Sequence, residues 1–265
     1  MSPEQLLHHH DQGTPWPADL QAGMTADIAQ AYQMALATRR LRVERGETPR
    51  GFKIGFTNRN IWPVYQVYGP IWGTVYASTL TVSPGQATVS LATRCQPRIE
   101  PEAVFGIKAT PPPGASVDEL FDCLDWVAPG FEIVQSHAPG WKFNAAMTVA
   151  DGGLHANLVV GRPVAVASIA SNARAFNETL AACQVRLNRN GMLVEQGVGA
   201  NVLGSPLLAL HDFLSELRQC SGGPDLLPGD VVTTGTWTDA WAVQAGETWR
   251  ADFTAPLDSF AVTFT

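Results

Sequence analysis

Arg98-Ile99-Glu100-Pro101-Glu102-Ala103-Val104-Phe105, taken together with Gly130-Phe131-Glu132-Ile133-Val134, decides how this chain is built. Both stretches are β-patterned, and in an extended strand residues i and i+2 project from one face, so Glu100 and Glu102 point together. Two like charges among apolar neighbours repel each other and lose hydration unless a cation joins them. The competing reading is a solvated face. A solvent-washed strand alternates its apolar residues cleanly, however, and Ala103-Val104-Phe105 runs on unbroken. Pro101 has no N–H to give and argues against a place in a central ladder, while the apolar tail argues for a strand that enters a core. Glu132 adds a third carboxylate in an equally apolar run. Three carboxylates with no nearby Cys or His suit a hard, oxygen-seeking ion such as Mg²⁺ or Mn²⁺ better than zinc or copper. That choice points to lyase or hydrolase chemistry on an oxyacid.

On either side of these strands the chain changes character. Residues 24–47 carry apolar positions at helical spacing (Ile28, Tyr32, Leu36, Leu41) with Thr25 as a plausible N-cap, which predicts one long helix. After Pro49 come short extended runs broken by Gly and Pro: 51–56, 73–76, 88–91 and 99–107. Pro111-Pro112-Pro113-Gly114 is a loop, followed by a short helix over 117–124. Further strands are expected at 130–135, 156–161, 184–189, 192–197, 230–236 and 260–264. Asn188-Arg189-Asn190-Gly191 is a hairpin signal, because Asn-Gly accepts positive φ at both central positions. Ser205-Pro206 reads as N-cap and first residue of a helix to about residue 219. The sum is an α+β chain, mostly β: a helical N-terminal segment over 1–50 and a β-rich body over 51–265, with no linker long enough to separate them.

Composition narrows the partners. The net charge of −7 argues against nucleic acid and against anionic membrane, both of which call for clustered Lys and Arg. No stretch of about 18 apolar residues is present, and the N-terminus lacks the basic and apolar regions of a signal peptide, so a soluble cytoplasmic protein is expected. The four cysteines are far apart, without C-x-x-C spacing. Lysine occurs only at Lys53, Lys108 and Lys142, so a lysine at a site is there for its compact, titratable ammonium. His8-His9-His10, close to the chain start, reads as an exposed helix end rather than a metal cluster.

Seven segments, in order, resemble one family: Gly51-Phe-Lys-Ile-Gly-Phe-Thr57, Arg98-Ile-Glu-Pro-Glu102, Phe131-Glu-Ile-Val-Gln-Ser136, Trp141-Lys142, Thr148-Val-Ala-Asp151, Leu203-Gly-Ser-Pro206 and Pro228-Gly-Asp-Val-Val232. They are similar to the 2-hydroxypentadienoate hydratase and 4-oxalocrotonate decarboxylase group of the fumarylacetoacetate hydrolase superfamily. The resemblance implies a β-rich roll, a homo-oligomer, and Mg²⁺ or Mn²⁺ on three carboxylates, which by position are Glu100, Glu102 and Glu132. It also implies a small keto or enol acid substrate, since a 2-oxo or 2-enol acid chelates such an ion through a carboxylate oxygen and the C2 oxygen. Lys53, between Gly51 and Gly55 that permit close backbone packing, matches the family lysine and is the candidate for proton transfer or charge stabilisation. Lys142 and Asp151 match catalytic positions of the family, with a structural ion pair as the plainer reading. Thr234 resembles a hydroxyl offered to the substrate carboxylate; an ordinary strand threonine is the alternative.

Two departures from the family pattern stand out. Tyr68-Gly-Pro-Ile-Trp-Gly73 replaces an acidic stretch, so that Ile71 stands where hydratases carry an Asp. The same region is rich in rings (Trp62, Tyr65, Tyr68, Trp72, Tyr76), which reads either as core or interface, or as contact with a substrate larger or more apolar than pentadienoate, with Trp72 the substrate-binding candidate. Gly152-Gly153-Leu154-His155 replaces a more polar stretch. A C–C hydrolase of the same superfamily is the rival activity, but it uses a His beside a Glu near the front of the β body, and no His lies between His10 and His137. A non-catalytic keto-acid binder is the rival from another class.

Overall fold

The computed structural model describes residues 1–265. Its strands are β1 (Pro49–Gly55), β2 (Ile71–Tyr76), β3 (Leu80–Val82), β4 (Gln86–Val89), β5 (Arg98–Ile107), β6 (Leu124–Val134), β7 (His155–Val160), β8 (Val164–Ala165), β9 (Gln184–Arg189), β10 (Met192–Val198), β11 (Val231–Thr233), β12 (Trp241–Ala242), β13 (Thr248–Phe253) and β14 (Phe260–Phe264). They form a larger sheet in the order β2-β1-β11-β5-β6-β7-β3, with β12 also on β5 and β8 also on β6. A second sheet runs β10-β9-β13-β14-β4. The sheets meet through rings such as Phe131 of β6 and Phe260 of β14, with centroids 4.6 Å apart. No helix is long and apolar enough to cross a membrane.

Local chemistry sets most boundaries. The long helix runs Ile28–Glu44, shorter than expected at its start because Asp27, not Thr25, caps it by accepting from Gln30 N–H at 3.0 Å. Thr25 instead accepts from the Asp27 N–H at 3.0 Å. The Asn-Gly hairpin forms between β9 and β10 with φ of 51° at Asn190 and 81° at Gly191. Ser205 caps the helix Pro206–Gln219 by accepting from Leu208 N–H at 3.1 Å, and Leu207, Leu210, Phe213, Leu214 and Leu217 of that helix face the core. The expected strand 230–236 stops at Thr233, where the chain peels away towards Gly235 with φ of 95°. Helices Ala145–Ala150 and Ala173–Ala182 and strand β13 were not expected from the sequence.

Pro101 sits in a strand that is central after all. β5 pairs along its length with β6, Pro101 lying opposite Phe131. On its other side β5 pairs with β11 only at Val104–Gly106 and with β12 only at Arg98–Ile99. The proline nitrogen falls in the interval between them. A residue's N and C=O project to the same side of a strand, and the Pro101 carbonyl accepts from Trp237 N–H at 3.1 Å on that open side, so no ladder bond is lost.

The N-terminal helices cover the front of this sheet. Leu6, Trp16 and Ala31 bury themselves against Ala146, Met147, Val149 and Ala150 of the helix Ala145–Ala150. Trp16 N–H donates to His137 O at 2.7 Å and its ring stacks on His137 at 6.0 Å.

Candidate metal centre

Strand parity assembles the site. Glu100 lies directly opposite Glu132 across β5 and β6, and Glu102 is two residues along on the same face. Val104, again two along, lies opposite Thr233 of β11, which in turn pairs with Lys53 of β1 and so with Gly73 of β2. One face of the sheet therefore presents Gly73, Lys53, Thr233, Glu102, Glu100 and Glu132 together. Two glycines make the packing possible: a Cβ on Gly51 would lie 1.9 Å from Val231 O, and one on Gly73 would lie 1.9 Å from Gly152 O. The turn Gly152–Leu154 closes over β2 there.

Carboxylate oxygens of Glu100, Glu102 and Glu132 lie within 4.8 Å of one another. Glu102 and Glu132 are fully buried. Lys53 Nζ stands 3.1 Å from Glu132 Oε2, itself almost inaccessible. Glu102 Oε2 accepts from Gly235 N–H at 2.7 Å and from the Thr233 hydroxyl, while Glu102 Oε1 has no partner at all. A buried, unpartnered carboxylate oxygen aimed among other carboxylates calls for a cation. The four groups sum to two negative charges, and one divalent ion cancels them. Without it, burial and mutual repulsion act on the acids: burial lifts Glu100 and Glu132 to about 7 against the pull of Lys53, and Glu102 is driven well above the usual carboxylate range. Burial works against the Lys53 ammonium, but Glu132, Glu100 and Glu102 outweigh it and hold its pKa above the ordinary value. An all-oxygen, all-carboxylate donor set fits Mg²⁺ or Mn²⁺.

His155 completes the site from behind. Its Nδ1 lies 3.0 Å from Glu132 Oε1 and its Nε2 lies 2.9 Å from Thr79 Oγ1. Burial and the nearby Lys53 and Arg42 depress its pKa well below the ordinary value, so the ring is neutral. With Glu132 ionised, both contacts are satisfied when Nδ1–H donates to the carboxylate and Nε2 accepts from the Thr79 hydroxyl. This fixes one oxygen of Glu132 while the other faces Lys53.

The other expected site residues lie elsewhere. Trp72 pairs with Ile54, which puts it on the opposite face of β2, where it packs between Tyr32 at 4.8 Å and Phe52 at 5.8 Å as core. Thr234 lies past the end of β11 and donates its hydroxyl to Ala103 O at 3.0 Å. Lys142 is exposed and makes no ion pair. Asp151 does not pair with Lys142; it holds His137, with Oδ1 2.6 Å from Nδ1 and Oδ2 accepting from the His137 N–H at 3.0 Å.

A cavity of about 520 Å³ opens onto Lys53 and Glu100. Ile71, opposite Gly55 and on the same face as Lys53, forms part of its wall, so the position where the resemblance leads one to expect an acid does border the site. Rings line part of the remainder. Phe56 stacks on Tyr65 at 4.8 Å, Tyr65 on Phe143 at 5.8 Å, and Phe143 meets Trp141 at 5.9 Å.

Residues 72–259 match the family model of the fumarylacetoacetate (FAA) hydrolase C-terminal region. The chain belongs to the fumarylacetoacetate hydrolase family. It is 30% identical over 241 residues to a 2-keto-4-pentenoate hydratase of Burkholderia vietnamiensis, covering 90% of this chain and 87% of that one. It is 28% identical over 221 residues to a 2-hydroxyhexa-2,4-dienoate hydratase of Comamonas testosteroni, covering 83% and 80%. Its fold superimposes with a TM-score of 0.87 on the 4-oxalocrotonate decarboxylase of Pseudomonas putida G7 in complex with magnesium and adipate, at 25% identity over 99% of this chain and 95% of that one. Within the family, the fumarylacetoacetate hydrolase members of known structure thus include one that binds a divalent metal and a small carboxylic acid.

Proposed function

We propose that this protein is a lyase dependent on Mg²⁺ or Mn²⁺ that hydrates or decarboxylates a 2-hydroxydienoate or 2-oxo acid, as in the meta-cleavage catabolism of aromatic compounds. The observation that carries the reading is the buried Glu100–Glu102–Glu132 cluster with Lys53 against it, at the end of a cavity of small-molecule size. The relatives' names, hydratase and decarboxylase, support it. Glu100, Glu102 and Glu132 hold the ion, which when bound supplies positive charge for the carboxylate and C2 oxygens of the substrate. Lys53 moves the proton. Its Nζ borders the cavity and is steadied by Glu132 at 3.1 Å, so its N–H is aimed rather than free to swing. His155 keeps Glu132 in place from behind, and the apolar wall at Ile71 keeps water away from that side of Lys53.

The hydrolase alternative gains nothing from His155. That ring lies beyond Glu132 and lines a narrow space behind the site rather than the cavity, so it has no reach to a water beside the substrate. The test is incubation of the purified protein with Mg²⁺ or Mn²⁺ and a panel of 2-hydroxydienoates, oxalocrotonate and acylpyruvates, with products identified by NMR. Hydrated or decarboxylated products that vanish in EDTA are expected. Cleavage of acylpyruvates with the dienoates and oxalocrotonate untouched would overturn the reading.

A further inference from the structure

The cavity carries charged side chains at two places only. At its inner end are Lys53 and Glu100, beside the two other carboxylates; at its mouth are the exposed Asp239 and the half-buried Glu195, tied together by the Asp239 N–H donating to Glu195 Oε2 at 3.0 Å. Between them the wall combines Ile61, Ile71 and the ring series Phe56, Tyr65, Phe143 and Trp141 with neutral polar groups, Thr57, Asn58, Asn201, Thr236 and Thr238. Lys53 is the only cation of the lining, and it is committed to Glu132. Arg98, on the same face of β5 as Glu100, lies with its guanidinium 4.0 Å from the centre of the Trp141 ring and is not part of the lining.

We infer that the substrate, on the lyase reading above, is a monocarboxylic acid whose tail is flat and apolar, an aryl or extended alkenyl group, and that a second carboxylate on the tail is rejected. The substrate's one carboxylate belongs with the metal ligands and Lys53. A tail carboxylate would leave water for a space whose lining offers it neutral hydroxyl and amide groups but no cation, with two acids at the exit, so its charge stays unpaired. A conjugated tail, in contrast, finds faces and edges of four rings within stacking distance of one another. At about 520 Å³ the cavity is in the size range that encloses drug-sized ligands, well beyond a five-carbon acid.

Two assays on the Mg²⁺-loaded protein test this. The first compares turnover of two 2-hydroxydienoates that differ only in a phenyl or a carboxylate at the tail, followed by loss of dienol absorbance. The second compares binding of phenylpyruvate and 2-oxoglutarate by calorimetry, which needs no turnover. The phenyl compound should be favoured in both, on the order of 10- to 100-fold. Asp239→Lys, at an exposed position, should strengthen 2-oxoglutarate binding a few-fold, the worth of one exposed ion pair, and leave phenylpyruvate nearly unchanged. Preference for phenylpyruvate with no dienoate turned over would sink the lyase reading and uphold the tail assignment. Equal binding, preference for 2-oxoglutarate or binding of neither would overturn the tail assignment whatever the turnover.

Discussion

Replacing Glu102 by glutamine separates two effects of its carboxylate. Gln keeps one carbonyl oxygen for the Gly235 N–H and the Thr233 hydroxyl, so the contacts that fasten β5 to the chain after β11 survive. What disappears is the charge. The three carboxylates approach within 4.8 Å, and each like-charged pair at that distance repels by about 3.5 kcal/mol at an effective permittivity of about 20. Glu102 takes part in two such pairs. Proton uptake relieves most of this in the metal-stripped protein, and a residual gain of about 1 kcal/mol on substitution raises its melting temperature by roughly 2–4 °C. The ion meanwhile loses a ligand charge, and Mg²⁺ binding weakens on the order of 10- to 100-fold. Glu102→Gln should therefore melt above the native protein in EDTA and show a smaller upward shift when Mg²⁺ is added. Calorimetric titration gives the affinity, and paired thermal melts give the two signs. An unchanged Mg²⁺ affinity, or a variant that melts lower in EDTA, would refute the assignment of Glu102 as a ligand.

Lys53→Met retains most of the apolar stem and should lower turnover on the order of 10²- to 10³-fold. Mg²⁺ affinity should hold or improve, since the charge removed is a cation; near-normal turnover would show the lysine to be peripheral. In EDTA, Glu100 and Glu132 at about 7 keep protons that the unfolded chain releases near 4.5. The buried acids alone therefore make the stripped protein lose stability as pH rises from about 4.5 to 7, and Glu102, raised further, extends that loss, while His10 at about 4 and His155, also depressed, act in the opposite sense because the unfolded chain binds their protons below about 6.5. Mg²⁺ binds the ionised acids, so the rise in melting temperature on adding it should grow as pH increases through this range; a gain that does not grow with pH would contradict the shared burial of the acids. Ile71→Asp places a carboxyl on the wall beside Lys53 and should shift the products of a dienoate towards hydration, as read by NMR. Efficient hydration of 2-hydroxypentadienoate by the unsubstituted protein would show that no acid is needed there.

The carboxylate cluster was legible because strand parity and an apolar setting are properties of adjacent residues. Glu100 and Glu102 declare their common face within three positions, and Glu132 has the same setting. Parity also explains where reading failed. Ile71 and Trp72 are neighbours in a ring-rich stretch, yet they face opposite sides of β2, and only pairing with Gly55 and Ile54 says which one borders the cavity. His155 stands 23 residues from Glu132, and its role arises from the β6–β7 pairing, which no local pattern announces. Asp151 pairs with His137 rather than Lys142 because the turn after Ser136 brings the imidazole over the end of helix Ala145–Ala150. That helix is buried on every side and so shows no polar face from which a period could be read. In β13 the alternation of Trp249, Ala251 and Phe253 is present, though Arg250 and Asp252 between them give the segment the composition of a loop.

The proline between the two glutamates has a consequence for how the active-site opening is kept open. Hydrogen bonding tends to zip neighbouring strands together until a donor runs out, and β11 and β12 approach β5 from both ends of one edge. At Pro101 the donor is missing on that edge alone, so the zipper has no next tooth. Residues 234–240 leave the ladder there instead, and Gly235, Trp237 and Asp239 become wall and rim of the cavity. The doorway to the carboxylate cluster is thus written into the backbone of the strand that carries two of its members, as one absent hydrogen atom.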